Sequence, residues 1–333
     1  MLRAGVVGAG SMGANHARVY ASLTGGCELV GVYDVDADRA AAVAARWGGA
    51  AFPSLDALLQ RVDVVSIASP TSFHVEHAER ALRAGVHVLV EKPLARTPQE
   101  ARRLVELALR LPRDLVVQVG HIEEFNPAVA ELRKLLPGEG EVIAIDVERL
   151  SPYDPRIGDI DVVQDLMLHD LHVLLSLVAA PVATVQSAVR HVHSEAFADY
   201  ATATLVFADG VIATLAASRV TEEKIRRLTV STVRSNVTVD YVRRTIEISR
   251  SARLTADEQG SRTYRQESVV ERVFVPMEEP LVAQISAFLD AVRRGDRPRV
   301  PLSTGIRCLE LAERITREAA VALPTARRDA QAA

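Results

Sequence analysis

The sequence predicts an α/β protein with a doubly wound parallel sheet over residues 1–120. An α+β domain with a large, mostly antiparallel open sheet follows over residues 121–333. Three observations predict this. Short apolar runs alternate with helical patterns up to about residue 120, the signature of β-α-β units. Beyond Gly120 the pattern changes to a succession of strand-like runs with few helices. The length of 333 residues also exceeds what one core organises, at roughly 100–200 residues per domain.

In the first half, strands are expected at Ala4–Val7, Glu28–Tyr33, Asp63–Ala68, His87–Val90 and Leu115–Val119. Runs such as Val116-Val117-Gln118-Val119 suit strands covered on both faces. Gly85 follows Leu82-Arg83-Ala84 as a helix stop. Thr97-Pro98-Gln99-Glu100 starts a helix: Thr97 caps, Pro98 takes the first turn and Glu100 closes a capping box.

In the second half, Asn126-Pro127 starts a helix expected to reach Leu136 and stop before Gly138. Strand-like runs follow at Glu141–Arg149, Ala183–Val192, Tyr200–Phe207, Val211–Ser218, Leu228–Ser231, Asn236–Asp240, Arg244–Ile248 and Val269–Phe274. Ala208-Asp209-Gly210 reads as a hairpin turn. A helix is expected over Val163–Val178. Two more close the chain, Leu281–Arg294 and Thr304–Ala320, the latter capped by Ser303. An antiparallel sheet leaves one face open, so a homodimer or homotetramer through that face is expected. The tail Ala326–Ala333 is expected to fray.

Composition excludes several functions. Net charge is −4, from 39 basic and 43 acidic residues with no basic block, which disfavours nucleic acid as a partner. No apolar run reaches the ~18 residues of a membrane span. The N-terminus runs straight into a strand, without the apolar stretch of a signal peptide. Cys27 and Cys308 form no C-x-x-C pair, so a reducing, cytoplasmic setting is expected. Of the basic residues only Lys92, Lys134 and Lys224 are lysines, so a lysine kept in this arginine-rich chain invites a chemical reason.

Gly8-Ala9-Gly10-Ser11-Met12-Gly13 matches G-x-G-x-x-G between a predicted strand and a predicted helix, the context of a Rossmann dinucleotide site. Gly8 permits the tight turn, Gly10 lets a pyrophosphate approach the backbone, and Gly13 lets helix pack on strand. The helix N-terminus then favours the anion. The bland alternative is a plain strand–helix turn. Asp34 ends the second strand 21 residues after Gly13. A carboxylate there accepts bonds from ribose hydroxyls and repels a 2′-phosphate, which predicts NAD over NADP. The alternative makes Asp34 a turn residue and brings Arg39 to the cofactor instead.

Two motifs carry chemistry. Glu91-Lys92-Pro93 follows a strand at the sheet end where ligands bind in this architecture. A partly desolvated lysine there can move protons, whereas the bland reading is a solvated ion pair. Asp165, His169 and His172 stand at i, i+4 and i+7, one face of a helix. They allow acid–base catalysis with His169 as proton carrier and Asp165 orienting it. Metal chelation and a structural role, the latter especially for His172, are the alternatives.

The glycine motif, Ser69-Pro70-Thr71, the segment Ala81 to Pro93, the pair Asp165…His169 and the stretch Pro280-Leu281…Leu311-Ala312 together resemble the glucose–fructose oxidoreductase/inositol dehydrogenase (Gfo/Idh/MocA) family over nearly the whole chain. The resemblance implies an NAD-dependent dehydrogenase with Lys92, Asp165 and His169 as the catalytic set, and no metal is expected, because hydride transfer needs no Lewis acid where Lys92 stabilises the alkoxide. It places Gly8, Gly10, Ser11, Met12, Gly13, Asp34, Ser69, Thr71, His74, Glu91 and Lys92 around NAD. It also implies a second domain that joins oligomer contacts through its open sheet.

A narrower resemblance is to sugar-nucleotide 3-dehydrogenases acting on UDP-N-acetylglucosamine. It is carried by Gly120-His121-Ile122-Glu123-Glu124-Phe125-Asn126-Pro127, Glu148 to Arg156 and Ala217 to Lys224. Glu124 stands where such sequences often have arginine, and His172 where they usually have aspartate. The implied reaction moves a hydride from a sugar carbinol carbon to the nicotinamide, with the substrate between the two domains. Lys92 would stabilise the alkoxide, His169 or Lys92 would take the hydroxyl proton, and Asp165 would hold the sugar and His169. His121, Asn126, Arg149, Tyr153, Arg156 and His172 are the substrate candidates. Arg149 and Arg156 offer forks to a diphosphate, unless they are ordinary surface arginines. Rival readings are another pyranose or inositol dehydrogenase, an NAD-dependent glycosidase, and a non-catalytic NAD-binding sensor or scaffold.

Overall fold

The computed structural model describes residues 1–111, 115–154, 160–250, 255–256, 262–263 and 269–322. The contacts divide the chain into two compact units, 1–126 with 278–310, and 127–277 with 311–333. The expected division at residue 120 put 278–310 in the second domain. Here that segment belongs with the first unit.

The first unit is built on six strands: β1 (Leu2–Val7), β2 (Cys27–Tyr33), β3 (Ala50–Ala51), β4 (Val64–Ile67), β5 (His87–Glu91) and β6 (Val117–Gly120). Their order is β3-β2-β1-β4-β5-β6, and every pairing is parallel. The order reverses between β1 and β4, and such a switch point opens a crevice at the carboxyl ends of the strands. All four residues of β4 are buried, as expected for a strand covered on both faces. Helices α1 (Ser11–Ser22), α2 (Ala37–Trp47), α3 (Leu55–Leu59), α4 (His74–Arg83) and α5 (Pro98–Arg110) follow their strands.

The sequence assigned no element to β3 or α3, which are too short to show a period. Thr97 caps α5 by accepting the Glu100 N–H at 3.2 Å. Glu100 does not close the expected box. Its carboxylate takes the Arg96 N–H and guanidinium instead.

The C-terminal helices explain the division of the chain. In this first unit Leu281, Ile285, Phe288 and Leu289 pack in one core with Val19, Tyr20 and Val32. Val300, Leu302 and Leu309 join the core on the other side with Leu94 and Val119. These apolar faces were visible as helical stripes, but their partner lies some 250 residues away in sequence.

The second unit carries β7 (Val142–Leu150), β8 (Val182–Arg190), β9 (Tyr200–Phe207), β10 (Ile212–Ser218), β11 (Ile225–Thr232), β12 (Asn236–Asp240) and β13 (Thr245–Arg250). The short β14 (Thr255–Ala256) and β15 (Arg262–Thr263) pair with each other, and β16 (Val269–Val273) completes the set. The eight-stranded sheet has the order β16-β13-β12-β11-β7-β10-β9-β8. Among the described residues β7 and β10 pair in parallel and the other neighbours in this sheet are antiparallel. Burial alternates along β9, β10 and β12, the mark of a sheet with one covered face.

Helix α6 (Pro127–Glu139) continues through Pro137 and Gly138, so the expected stop before Gly138 is wrong. The segment 163–178 contains a π turn, Val163–Met167, leading into α7 (Leu168–Leu177). Beyond α8 (Pro280–Arg294), the last helix α9 begins at Leu302 and runs to Ala322. Ser303 therefore lies inside its first turn and is not its cap. The expected fraying of Ala326–Ala333 lies outside the described residues. No helix among the described residues is long and apolar enough to cross a membrane.

Candidate active site

The glycine loop leaves the end of β1. Gly8 has φ +95°, and a Cβ there would sit 2.6 Å from the Ala68 carbonyl oxygen and the Ser69 nitrogen. The loops after β1 and β4 therefore touch through a glycine. A Cβ on Gly13 would lie 1.7 Å from the Gly8 carbonyl oxygen, so α1 can approach the loop only without a side chain there. Gly10 differs, because its Cβ would meet nothing within 4 Å and its φ of −69° suits any residue. The fold does not demand glycine at residue 10, whereas a ligand approaching the backbone does. Helix α1 begins at Ser11 with no side chain capping it. Its first N–H groups are thus offered to an anion. Ser11 and Met12 are exposed on that first turn. These features fit the pyrophosphate of a dinucleotide.

Asp34 follows β2. Its Oδ2 accepts the Ala9 N–H at 2.6 Å and its Oδ1 the Asp36 N–H at 2.9 Å. Each oxygen keeps a second lone pair, so ribose hydroxyls can still bind. Asp34 thus also braces the glycine loop, a role its spacing does not disclose. A cleft of about 250 Å³ opens beside it, lined by Gly8, Asp34, Val35, Ser69, Phe73 and His77 among others. Phe73 stacks on His77 at 5.7 Å, and the Ser69 hydroxyl lies 3.0 Å from His77 Nδ1. Burial pushes the proton affinity of His77 down. Phe73 and His77 were missed from sequence. Their i, i+4 spacing was a signal, but only the β1–β4 contact brings them to Asp34. Arg39, the alternative cofactor contact, pairs with Asp36 at 2.8 Å. Thr71 opens the short 3-10 turn before α4.

The Glu91-Lys92-Pro93 segment ends β5, and the Lys92–Pro93 peptide is cis. Glu91 is buried, with Oε1 3.0 Å from His16 Nε2. Its Oε2 accepts the Lys92 N–H at 3.2 Å. Glu91 is therefore turned into the protein, although the sequence placed it at the cofactor. His74 is likewise buried. Its Nδ1 is 2.7 Å from the Pro93 carbonyl oxygen and its Nε2 2.8 Å from that of Ser69. It clamps two turns at the crevice, whereas the sequence had it touching NAD. Lys92 itself remains partly exposed.

In the second unit Asp165 lies in the π turn and His169 in the first turn of α7, both partly exposed. The i→i+5 bonding of a π turn changes the helical phase assumed from sequence, and such turns recur at functional sites. His172, further along α7, is buried, with 3% exposure. Next to the turn, Asp161 accepts the Gln164 N–H at 2.8 Å, and burial pushes its carboxyl up. Among the described residues no group of three or more His, Cys, Asp or Glu side chains is arranged to hold a metal.

The substrate candidates fare unequally. Arg149 is 2% exposed and grips Asp170 with two bonds, Nε–Oδ2 at 2.6 Å and Nη2–Oδ1 at 2.8 Å. Its guanidinium also lies 5.8 Å from the Tyr241 ring centre. It is a buried strut between β7 and α7, so the expected diphosphate contact is corrected. The signal was present: Arg149 shares strand parity with buried Ile145 and Val147. Arg156 lies outside the described residues. Tyr153 is half-exposed with its ring 3.9 Å from that of His193. In the first unit, His121 is buried and the Asn126 amide donates to Glu123 at 2.8 Å. Glu124 accepts from Arg299 Nε at 3.0 Å, so this acidic residue has an internal partner.

A parallel six-stranded sheet with this loop and this carboxylate defines a dinucleotide-binding domain. Residues 2–121 match the GFO/IDH/MocA model described as an oxidoreductase family with an NAD-binding Rossmann fold, and residues 141–236 match the GFO/IDH/MocA C-terminal domain. The chain is 41% identical over 293 residues to UDP-N-acetylglucosamine 3-dehydrogenase of Acidithiobacillus ferrooxidans, covering 87% of this chain and 88% of that one. A solved structure of that enzyme superposes with a TM-score of 0.84 at 37% identity, covering 95% and 97% of the two chains. Inositol 2-dehydrogenase 2 of Saccharopolyspora erythraea is 35% identical over 54% of this chain and 55% of its own. Levoglucosan dehydrogenase in complex with NADH and levoglucosan shares the fold, with a TM-score of 0.82 at 19% identity over 96% and 97% of the chains. The chain belongs to the GFO/IDH/MocA oxidoreductase family and is an NAD-dependent dehydrogenase.

Proposed function

We propose that this enzyme oxidises the C3 hydroxyl of a nucleotide sugar, UDP-N-acetylglucosamine. The observation that carries the reading is the 41% identity to an enzyme of that name along 88% of its length. NAD, when bound, supplies the hydride acceptor. The roles of the residues follow from their chemistry. Lys92 stabilises the alkoxide as it forms, an electrostatic effect worth several kcal/mol in a preorganised site. His169 takes the hydroxyl proton, and Asp165 orients the sugar and the imidazole. The first unit binds the dinucleotide through Gly8, Gly10, Gly13, Asp34 and the open N-terminus of α1. The second unit supplies the sugar side of the reaction.

The same reading makes the enzyme a homodimer or homotetramer through the open face of its eight-stranded sheet. That face carries a polar groove with Arg227, Asp240, Arg243, Glu247 and Arg272 among its lining. Light scattering on the purified protein reads the assembly directly.

The test of function is NADH formation across UDP-N-acetylglucosamine, other UDP-sugars, free pyranoses and inositols. The expected result is accumulation of NADH with UDP-N-acetylglucosamine and a kcat/KM at least ~10²-fold above that for inositols, since a remote diphosphate contributes binding energy to the reaction. A preference for inositol or a free pyranose overturns the substrate. Turnover without net NADH moves the reading to the glycosidase alternative.

A further inference from the structure

We propose that His16 and His74 are positioning residues that hold the Lys92 turn from two sides, His16 through the Glu91 carboxylate and His74 through the Pro93 carbonyl. The inference rests on the reading of Lys92 as the reactive cation.

Consider the first side. His16 lies on the buried face of α1 with Ala17, Val19 and Tyr20, where an apolar residue would ordinarily pack. It is fully buried, and both of its nitrogens have partners. Nδ1 is 2.9 Å from the Ser66 hydroxyl, which is 2.8 Å from the Tyr20 hydroxyl. Nε2 donates to Glu91 Oε1, and the other oxygen, Oε2, accepts the Lys92 N–H. Buried polar groups are tolerated only when paired. Here four side chains pair in a line that starts on α1 and β4 and ends on the Lys92 backbone. Gly120 keeps room for that line, because a Cβ there would lie 2.8 Å from Glu91 Oε1.

On the second side, His74 opens α4 and reaches the residue after Lys92 through the Pro93 carbonyl oxygen. Its other nitrogen faces the Ser69 carbonyl oxygen, in the loop that touches Gly8. Both partners are acceptors and burial favours the neutral ring, so its one N–H donates to one of the two carbonyls while the ring is packed against both. The residues immediately before and after Lys92 are thus each fixed by a buried imidazole. Helix α1, which carries His16, also presents the glycine loop, so one rigid element sets both places. A purely structural role would not require the line to end on the Lys92 peptide.

Reactive groups are sensitive to such placement, since an error of about 1 Å can cost about 10²-fold in rate. The test compares wild type, His16→Ala, His16→Gln, His74→Ala and Glu91→Gln. It uses whichever sugar the wild-type enzyme oxidises in the comparison above. Measured for each are kcat per folded molecule, the NADH Kd, the pH profile of kcat and the Tm. The expected result is a kcat roughly tenfold or more below wild type in both alanine variants, with NADH Kd within about threefold in His16→Ala. The pH profile of kcat should change in each variant in the same sense as it does in Lys92→Ala. His16→Gln, which keeps a donor for Glu91, should recover part of the rate.

A lowered Tm with kcat and pH profile unchanged would overturn the proposal, as would a rate loss that leaves the pH profile in place. Should His16→Ala fail to fold, His16→Gln and Glu91→Gln carry the same comparison. Failure of the underlying reading is seen separately. It appears as normal turnover in Lys92→Ala.

Discussion

Gly10→Ala separates the needs of the fold from the needs of the ligand. The new methyl meets no protein atom within 4 Å, and the local φ of −69° is open to alanine. Two small effects act on the unliganded protein. Alanine caps α1 less well than glycine, which costs about 0.5–1 kcal/mol. Alanine also loses less entropy on folding, which returns about 0.4–1 kcal/mol. The net change in apo stability should stay within about 1 kcal/mol. Cofactor binding should behave differently, because the methyl enters the open space that we assign to the approach of a pyrophosphate. A tenfold weaker Kd corresponds to about 1.4 kcal/mol, and at least that loss is expected.

Gly13→Ala provides the contrast. Its Cβ would stand 1.7 Å from the Gly8 carbonyl oxygen, so backbone must move in the absence of any ligand. Destabilisation of about 3 kcal/mol or more is expected there, the scale of overpacking and strain. Thermal unfolding without cofactor and NADH fluorescence titration read the two quantities. Wild-type NADH affinity in Gly10→Ala would refute the assignment of the open space to the cofactor. An apo Tm as low as that of Gly13→Ala would refute the packing argument.

Lys92→Ala and Lys92→Arg should both lower kcat by ~10²-fold or more with NADH affinity nearly kept, because alanine removes the charge that stabilises the alkoxide and the planar head of arginine is too bulky for an ammonium site. Steady-state kinetics beside NADH titration decides this, and near-normal turnover in Lys92→Ala would remove the centre of the mechanism. Arg149→Ala should destabilise by about 3–5 kcal/mol, because it removes the cation that grips the buried Asp170 carboxylate with two bonds. Denaturant unfolding measures it, and a loss below about 1 kcal/mol would show that water reaches the pair. His87 Nδ1 accepts the Val116 N–H at 2.9 Å, and burial lowers its proton affinity below the ordinary 6.5. The unfolded chain then binds the proton more readily, so this contribution is intact above about pH 6.5 and is lost as pH falls below it. His87→Asn, which keeps an acceptor, should flatten the fall in Tm between pH 7 and 5. Activity should survive extensive chelation, and loss restored by zinc or manganese would revive the metal reading.

Amino-acid order alone determined the parallel sheet, the glycine loop, the place of Asp34 and the motif around Lys92. These are local features, in which a strand, a turn and the next helix are contiguous, and their periods and glycines can be read in one window. Strand parity also held the burial of Arg149, since Ile145, Val147 and Arg149 alternate with exposed Asp146 and Glu148. The tertiary structure decided what depends on distant partners. The apolar stripe of α8 could not name α1 as its neighbour, because Phe288 and Val19 meet only once the chain has folded back. The same holds for His16, whose partners Ser66 and Glu91 lie 50 and 75 residues away in the chain. The π turn before His169 was hidden for a different reason. Its widened hydrogen bonding leaves no mark in a sequence read at 3.6 residues per turn.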